Sequence, residues 1–317
     1  MSQSIPYFSA EDIHRALDYH GLVEALRAGF TQDYLVPPRM HVHYPNGPGH
    51  SENTLLVMPA VKGGEVAGVK MVTVAPDNHL AGLPSIQGVY YLLDALTGSP
   101  KALLEAKSLT NWRTAAASAL ASTYLSDPDS SNLLLIGTGS LANYIIEAHA
   151  AVRPINSLQV YGRNAEKARE IIAQFESRFD QVTAVTQLEA AVEQANIISV
   201  ATLSPSPLIH GEWLQPGQHL DLIGAYKPDM READDEVVTR ARLYVDNLDM
   251  APVETGDLAI PLANGVISIA DIQGDLFDLC QHKVKGRQSK KEITVFKSVG
   301  HALEDLVAAQ LVLKHTN

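Results

Sequence analysis

One stretch, residues 132–142, constrains the possible fold more than any other part of this sequence. A short apolar run, Leu133–Ile136, leads into a G-x-G-x-x-A turn that ends at Ala142, and residues 141 to 151 then follow a helical pattern. A buried strand, a glycine turn and a helix in this order are typical of a dinucleotide-binding βαβ unit. The alternative is a tight strand-to-helix connection that binds no ligand.

Each residue of this turn has a role in the dinucleotide interpretation. Gly137 permits the tight turn, and the missing side chain at Gly139 lets a pyrophosphate approach the backbone. The N-terminus of the helix adds free N–H groups and the positive end of its dipole. The cofactor-binding residues predicted in this segment are Gly137, Thr138, Gly139, Ser140 and Leu141.

Strands and helices alternate after this turn, which predicts an α/β fold with a doubly wound parallel sheet of Rossmann type. The predicted strands are Ser157–Tyr161, Val182–Val185, Ile197–Thr202, His219–Ile223 and, as the last, Leu243–Val245. Asp234 and Asp235 are typical of a helix start. A final helix is predicted over Glu292–Lys314.

The first part of the chain instead predicts an α+β domain with an antiparallel or mixed sheet. A first helix is predicted to start with Ser9 as its cap, and a second, amphipathic helix is predicted over Asp18–Gln32. The predicted strands are Thr54–Met58, Val66–Val74, Gly88–Leu93 and Lys101–Glu105, and an alanine-rich helix follows over Thr110–Leu125. We therefore expect a first domain of residues 1–125, completed by residues 289–317, and a nucleotide-binding domain of residues 126–288.

Charge and composition exclude several classes of function. The 317 residues carry a formal net charge of −12, which disfavours a nucleic-acid or anionic-membrane partner. The single cysteine, Cys280, excludes an intrachain disulfide and a cysteine-cluster metal site. His41 and His43 share a strand face but have no third ligand nearby in sequence, so we expect no metal. Without a signal pattern or a long apolar run, the expected location is cytoplasmic.

Polar residues follow the strand Ser157–Tyr161, where NAD-specific folds place an acid for the ribose hydroxyls. Here the residues are Arg163, Asn164 and Lys167, which suit a 2′-phosphate. The alternative is a solvated turn with ordinary surface charges. We expect NADPH as the cofactor, with NADH also possible.

Three basic residues of the first domain indicate a site for an anion. Arg39 follows two prolines, Lys70 lies inside an apolar strand, and Arg113 is placed in the first turn of the alanine-rich helix. A cation there opposes the helix dipole unless an anion lies beside it. Arginine together with helix N–H groups makes a good carboxylate site. Taken singly, each of the three could instead form a surface ion pair.

Several segments together resemble the ornithine cyclodeaminase/μ-crystallin family. They are Leu109–Ala121 (LTNWRTAAASALA), Val57–Pro59, Gly68–Lys70, Gly82–Pro84, Leu93–Gly98 and Gly224–Glu232 (GAYKPDMRE), and they extend over nearly the whole chain. The resemblance implies a homodimer whose first domain forms the dimer interface and the substrate platform. It also implies a nicotinamide cofactor and a small α-imino or α-amino acid substrate.

The resemblance also assigns roles to individual residues. It places Arg39, Lys70 and Arg113 at the carboxylate-binding and catalytic basic positions. It places Ser298, Val299 and Gly300 near the substrate and nicotinamide, together with Ala201 and Thr202.

Two positions depart from the cyclodeaminases of this family. Tyr226 stands where they have an aspartate that handles the substrate amine, and Leu56 stands where they have a glutamate. The loop around Tyr226 instead resembles that of the ketimine reductases. Asp229, a further acid in this loop, either donates a proton to the imine or caps the helix that follows.

We therefore expect NAD(P)H-dependent reduction of small cyclic ketimino acids, giving L-proline from Δ1-pyrroline-2-carboxylate or L-pipecolate from Δ1-piperideine-2-carboxylate. The proton donor is Lys70, Asp229 or water. One alternative is an ornithine cyclodeaminase or an amino-acid dehydrogenase. The other is a dinucleotide-dependent small-molecule binding protein without enzymatic activity, of the μ-crystallin type.

Overall fold

The computed structural model describes residues 4–316, which form two compact units. Unit 1 contains residues 4–114 and 301–316, and unit 2 contains residues 115–300. The division lies inside the alanine-rich helix and just before the final helix, whereas the sequence placed it at residues 125 and 289.

Unit 1 has a mixed six-stranded sheet, as the α+β pattern predicted. Its elements up to the first boundary are β1 (Tyr7–Phe8), α1 (Ala10–Ala16), α2 (Tyr19–Gly29), β2 (Met40–Tyr44), β3 (Asn53–Lys62), β4 (Val66–Val74), β5 (Ile86–Asp94), β6 (Pro100–Glu105) and α3 (Ala106–Leu125), which continues into unit 2. The strand order is β1-β6-β5-β4-β3-β2. Only the pair β1 and β6 is parallel among the described strands of this sheet.

Side-chain caps fix the start of the first two helices, and only the cap of the first, Ser9, was predicted. Ser9 and Asp12 form a capping box at α1. Asp18 accepts a hydrogen bond of 2.8 Å from the N–H of Gly21 at the start of α2. These contacts satisfy N–H groups that have no partner within the helix.

Unit 2 is the predicted doubly wound fold around an eight-stranded parallel sheet. Its elements are β7 (Asn132–Ile136), α4 (Ala142–Val152), β8 (Ser157–Tyr161), α5 (Ala165–Ala173), β9 (Gln181–Val185), α6 (Leu188–Gln194), β10 (Ile197–Val200), β11 (His219–Leu222), α7 (Asp235–Arg240), β12 (Arg242–Val245), α8 (Ala251–Glu254), α9 (Gly256–Ala263), β13 (Ile272–Asp275), α10 (Leu276–Cys280) and β14 (Thr294–Lys297). The strand order is β13-β12-β14-β11-β10-β7-β8-β9. The order reverses between β7 and β10, and ligands of such sheets bind at the carboxyl ends of the strands there.

Two predictions about the end of the chain are wrong. β12 is not the last strand, because β13 and β14 follow it. Residues 294–297 form a strand between β11 and β12 and not the start of a helix at Glu292. The run Thr-Val-Phe-Lys is fully buried and rich in β-branched and aromatic residues, so pairing with two neighbours outweighs the helical pattern further along.

The final helix, α11 (Ala302–Thr316), belongs to unit 1. It packs on α2 and on β3, β4 and β5. Gly29 permits the close approach of α2, because a Cβ there would lie 2.8 Å from Cγ2 of Val307. Within residues 4–316, every helix is too short or too polar to span a lipid bilayer.

Candidate active site

A cavity of about 620 Å³ lies at the carboxyl ends of β7, β8 and β10 in unit 2. Predicted cofactor-binding residues form much of its lining: Gly137, Thr138, Gly139, Arg163, Asn164, Lys167, Ala201 and Thr202. Ser140 and Leu141 do not line it, because they lie in the turn that leads into α4. The cavity therefore occupies the switch point of the sheet.

The glycines of this cavity fit a dinucleotide. Gly137 has a φ of 127°, and a Cβ there would lie 2.4 Å from the carbonyl oxygen of Ala201. A Cβ at Gly139 would meet no atom within 4 Å, so the space above this residue is open to a pyrophosphate. A Cβ at Gly162 would lie 2.4 Å from Cγ2 of Thr138, which keeps β8 close to the turn.

The residues after β8 provide an exposed basic end of the cavity. Arg163 and Lys167 are both exposed. The side-chain oxygen of Asn164 accepts hydrogen bonds from the N–H groups of Glu166 at 3.0 Å and Lys167 at 3.3 Å. Asn164 therefore caps α5, which leaves the two basic side chains as the groups suited to a phosphate.

The loop after β10 is held by a buried carboxylate that the sequence analysis missed. Glu232 accepts hydrogen bonds from the N–H and hydroxyl of Thr202, at 2.7 and 2.9 Å. Nζ of Lys297 lies 3.7 Å from the carboxylate of Glu232 and 2.9 Å from that of Asp257. Burial raises the pKa of Glu232 to about 7, although the nearby charge of Lys297 opposes the increase.

A second buried acid, Asp246, holds the segment after β14. One of its oxygens accepts hydrogen bonds from the hydroxyl of Ser298 at 3.1 Å, the N–H of Val299 at 2.8 Å and the N–H of Gly300 at 2.6 Å. Gly300 has a φ of 83°, a conformation that favours glycine. These three residues, predicted near the substrate, thus have a fixed conformation at the carboxyl end of β14.

Unit 1 contains a buried cluster of cations and carboxylates. Nζ of Lys70 lies 2.9 and 2.8 Å from the two carboxylate oxygens of Asp305. Arg113 donates from Nε to Asp305 at 3.0 Å and from Nη1 to Glu304 at 2.8 Å. Lys70, Arg113 and both acids are almost completely buried. α11 therefore supplies the acids, while β4 and α3 supply the cations.

Arg39 lies close enough to affect this cluster electrostatically. The pKa of Lys70 falls from 10.5 to about 8, first because of burial and then because of the positive charge of Arg113, with Arg39 adding to the effect and Asp305 opposing it. Burial alone would raise the pKa of Asp305, but Arg113 and Lys70 bring it below its usual value. The structure thus brings together the three basic residues predicted from sequence.

The predicted location of Arg113 in the first turn of its helix is wrong. α3 begins at Ala106, so Arg113 lies about two turns from the helix start and has no contact with free N–H groups there. Ion pairs with Glu304 and Asp305 instead offset the free-energy cost of burying the guanidinium group. Sequence analysis missed these acids, although two adjacent acids in an otherwise apolar helix were a usable signal.

The remaining sequence candidates, Asp229 and Tyr226, lie in the loop between β11 and α7. Asp229 is exposed in a turn, and its predicted alternative as a helix cap is wrong, because Asp234 caps the next helix, α7. The start of that helix at Asp234 and Asp235 is confirmed. Nζ of Lys227 lies 5.7 Å from the ring centroid of Tyr226. In the described part of the chain, no group of three or more potential ligands could hold a metal ion.

Comparison with known proteins yields full-length matches. A family model described as the ornithine cyclodeaminase/mu-crystallin family matches residues 8–317. The Delta(1)-pyrroline-2-carboxylate reductase of Colwellia psychrerythraea is 40% identical, over 96% of this chain and 98% of that relative.

Two solved structures extend the match to the fold. The Delta(1)-pyrroline-2-carboxylate reductase of Thermococcus litoralis, in complex with NADH and L-proline, matches with a TM-score of 0.92 and 32% identity, over 98% of this chain and 97% of that one. An archaeal alanine dehydrogenase dimer with bound NAD matches with a TM-score of 0.91 and 28% identity, over 98% and 96%.

Proposed function

Because the chain belongs to the ornithine cyclodeaminase/mu-crystallin family, we propose that it is an NAD(P)H-dependent reductase of small cyclic ketimino acids, with Δ1-pyrroline-2-carboxylate as the substrate and L-proline as the product. The observation that carries this proposal is the buried cluster of Lys70 and Arg113 with Glu304 and Asp305. Such a cluster suits a substrate that carries a carboxylate next to a C=N bond.

Arg113 and Arg39 bind the substrate carboxylate. The hydrogen bonds to Glu304 and Asp305 use Nη1 and Nε of Arg113, so Nη2 remains for the substrate. The two acids fix the guanidinium plane, and a fixed guanidinium is well suited to a planar carboxylate. Ser298, Val299 and Gly300 contribute further substrate contacts, with their conformation set by Asp246.

Lys70 provides the proton for the imine nitrogen. A pKa of about 8 keeps its ammonium group mostly protonated at neutral pH and makes it a much stronger acid than an ordinary lysine. Asp305 holds Nζ in place through a hydrogen bond, and its negative charge partly balances that of the ammonium group. Protonation makes the imine carbon a better hydride acceptor.

The cavity of unit 2 binds the cofactor, and the reduced nicotinamide supplies the hydride when bound. Gly137, Thr138 and Gly139 bind the pyrophosphate, and Ser140 and Leu141 complete the turn. Arg163 and Lys167, at the end held by Asn164, favour NADPH through its 2′-phosphate. The protein acts as a homodimer, in line with the dimeric alanine dehydrogenase of similar fold.

A substrate panel tests the proposal. Purified protein is assayed by oxidation of NADPH and NADH with five- and six-membered cyclic imino acids and with pyruvate plus ammonia, and by ammonia release from ornithine in the presence of NAD+. We expect fastest turnover with Δ1-pyrroline-2-carboxylate. Faster ammonia release from ornithine, or faster reduction of pyruvate, would assign the chain to the cyclodeaminases or dehydrogenases. Cofactor binding without turnover of any substrate would favour a binding protein.

A further inference from the structure

Glu232 is fully buried and is bonded to two loops at one end of the dinucleotide cavity. Its Oε1 accepts from the N–H and hydroxyl of Thr202, at 2.7 and 2.9 Å. Its Oε2 accepts from the N–H groups of Gly224 at 2.7 Å and Ala225 at 3.1 Å. A single carboxylate thus fixes the loop after β10 relative to the loop after β11.

The carboxylate is itself held from two other elements. Nζ of Lys297, on β14, lies 3.7 Å from Oε2 of Glu232. Asp257, on α9, accepts hydrogen bonds from the N–H groups of Glu232 at 2.7 Å and Ala233 at 3.1 Å. The backbone and the side chain of Glu232 are therefore both fixed, so its two carboxylate oxygens can take up only one position.

Thr202 lies on the nicotinamide side of the cavity. The pyrophosphate site at Gly137 and Gly139 follows β7, and the basic residues for the adenosine half follow β8 on one side. Thr202 follows β10, on the opposite side of β7, where the other half of a dinucleotide extends in a doubly wound sheet.

The hydrogen bond to Glu232 also sets the polarity of the Thr202 hydroxyl. A hydroxyl has one proton, and Thr202 donates it to Glu232, so Oγ1 can act only as an acceptor toward the cavity. The N–H of Ser204 donates to Oγ1 at 3.4 Å, which leaves one further lone pair. An amide N–H group is a matching donor, and the carboxamide of nicotinamide carries such groups on its NH2 nitrogen.

We propose that Glu232 is a positioning residue for the nicotinamide half of the cofactor, because it orients the hydroxyl of Thr202 as an acceptor for the carboxamide. The proposal rests on the proposed function only in that it takes a nicotinamide dinucleotide as the ligand. Glu232 acts through Thr202 and does not itself contact the cofactor.

The test compares two ligands that share every group except nicotinamide. Dissociation constants of NADH and ADP-ribose are measured by calorimetry for the wild type and for Glu232→Gln, which retains the shape of the side chain but removes its charge. We expect NADH binding to weaken by about tenfold, the equivalent of about 1.4 kcal/mol, and ADP-ribose binding to change by less than about twofold. An equal loss for both ligands, or no loss for either, would overturn the proposal.

Asp221→Asn is the matched control for loss of a buried carboxylate. Asp221 is also fully buried, but it accepts hydrogen bonds from Ser118 and Ser199 inside unit 2, and it does not line the cavity. We expect this variant to unfold at a lower temperature and to keep the wild-type ratio of the two dissociation constants. A changed ratio would mean that any buried acid has this effect, which contradicts the specific role of Glu232.

Variants of Thr202 provide a second route if Glu232→Gln fails to fold. Thr202→Val should weaken NADH binding selectively, Thr202→Ser should restore it, and adding Glu232→Gln to Thr202→Val should cause no further selective loss. If Thr202→Val binds NADH as tightly as the wild type, the positioning role is wrong. If the wild type binds neither ligand, the proposed function fails instead.

Discussion

The two buried ionic clusters of this protein differ in charge balance. In unit 1, the cations Lys70 and Arg113, with Arg39 nearby, face the carboxylates of Glu304 and Asp305. In unit 2, one cation, Lys297, faces the carboxylates of Glu232 and Asp257. Both clusters are shielded from water, so charge of either sign needs a partner within the protein or from a ligand.

The two clusters meet this need in different ways. The acids of unit 2 accept hydrogen bonds from backbone N–H groups of the surrounding loops, and these bonds fix loops at the cavity of unit 2. The cations Lys70 and Arg113 of unit 1 pair with two side-chain carboxylates, and in the proposed complex the carboxylate of the substrate joins them. We infer from this comparison that the cluster of unit 2 shapes a site, and we propose that the cluster of unit 1 binds a ligand.

The largest expected effect is that of Arg113→Ala. Removing one partner of a desolvated charge pair costs about 3 kcal/mol or more, so kcat/KM for the imine should fall at least roughly a hundredfold. The dissociation constant of NADPH should stay near the wild-type value, because the glycine turn lies in unit 2. Arg113→Lys should recover only part of the loss, since it keeps the charge but not the planar fork.

Thermal stability must be measured together with kcat/KM, because Arg113→Ala also removes the ion pairs with Glu304 and Asp305. Thermal unfolding followed by circular dichroism separates the two effects at temperatures where the variant stays folded. Arg15→Ala is a suitable control, because the ion pair of Arg15 with Asp12 is largely exposed. A similar loss of kcat/KM in both variants would contradict a specific role for the basic cluster.

The second prediction concerns the pH dependence that Lys70 confers. Because its pKa is about 8, kcat/KM should decrease as the pH rises above this value, by about tenfold per unit once the amine is neutral. The free energy of unfolding, in contrast, should not decrease when Lys70 loses its proton. Between about pH 8 and 10.5 the unfolded lysine binds the proton that the folded one has lost, so this group adds stability as the pH rises.

The measurement is a pH–rate profile at saturating cofactor, with circular dichroism at each pH. Lys70→Arg keeps the positive charge but does not titrate in this range, so its remaining activity should show no decrease near pH 8. A decrease near pH 8 that persists in Lys70→Arg would assign the titration to another group.

The smallest expected effect concerns the cavity of unit 2 and not the cluster of Lys70 and Arg113 in unit 1. Arg163→Asp should weaken NADPH binding by about 1–3 kcal/mol, the strength of a charge-assisted hydrogen bond, and should leave NADH binding nearly unchanged. Arg169→Asp is the matched control, because this exposed arginine lies on α5, the helix that follows Arg163, and outside the cavity lining. Fluorescence titration with both cofactors checks the result, and equal losses for the two would exclude contact with the 2′-phosphate.

Local patterns predicted much of the fold. The strands Val66–Val74 and Ser157–Tyr161 have the predicted bounds, and Ser9 caps its helix as expected. These features depend on neighbouring residues alone. The strand Thr294–Lys297 was missed because its pairing with β11 and β12 depends on distant residues, while the apolar pattern after it is helical.

The candidate site was predicted in part for the same reason. The glycine turn, Arg163 and the three basic residues were found from the types of residue and their local context. The acids that fix them were not, because Glu304 lies 191 positions after Arg113 in the chain. Glu232 was recognised from the sequence only as part of a motif. Its hydrogen bonds to Thr202 depend on the pairing of β10 with β11, which the sequence alone does not show.

The position of α11 at the end of the described chain has a consequence for synthesis on the ribosome. Asp305 follows Lys70 by 235 positions, so all of unit 2 is synthesised before the acids that neutralise Lys70 and Arg113. Two buried cations without acids oppose compaction of the nascent unit 1. We expect unit 2 to complete its fold without α11. A chain that ends at residue 300 and is joined to the ribosome by a linker long enough to clear the exit tunnel should resist protease in residues 115–300 while residues 4–114 are cleaved.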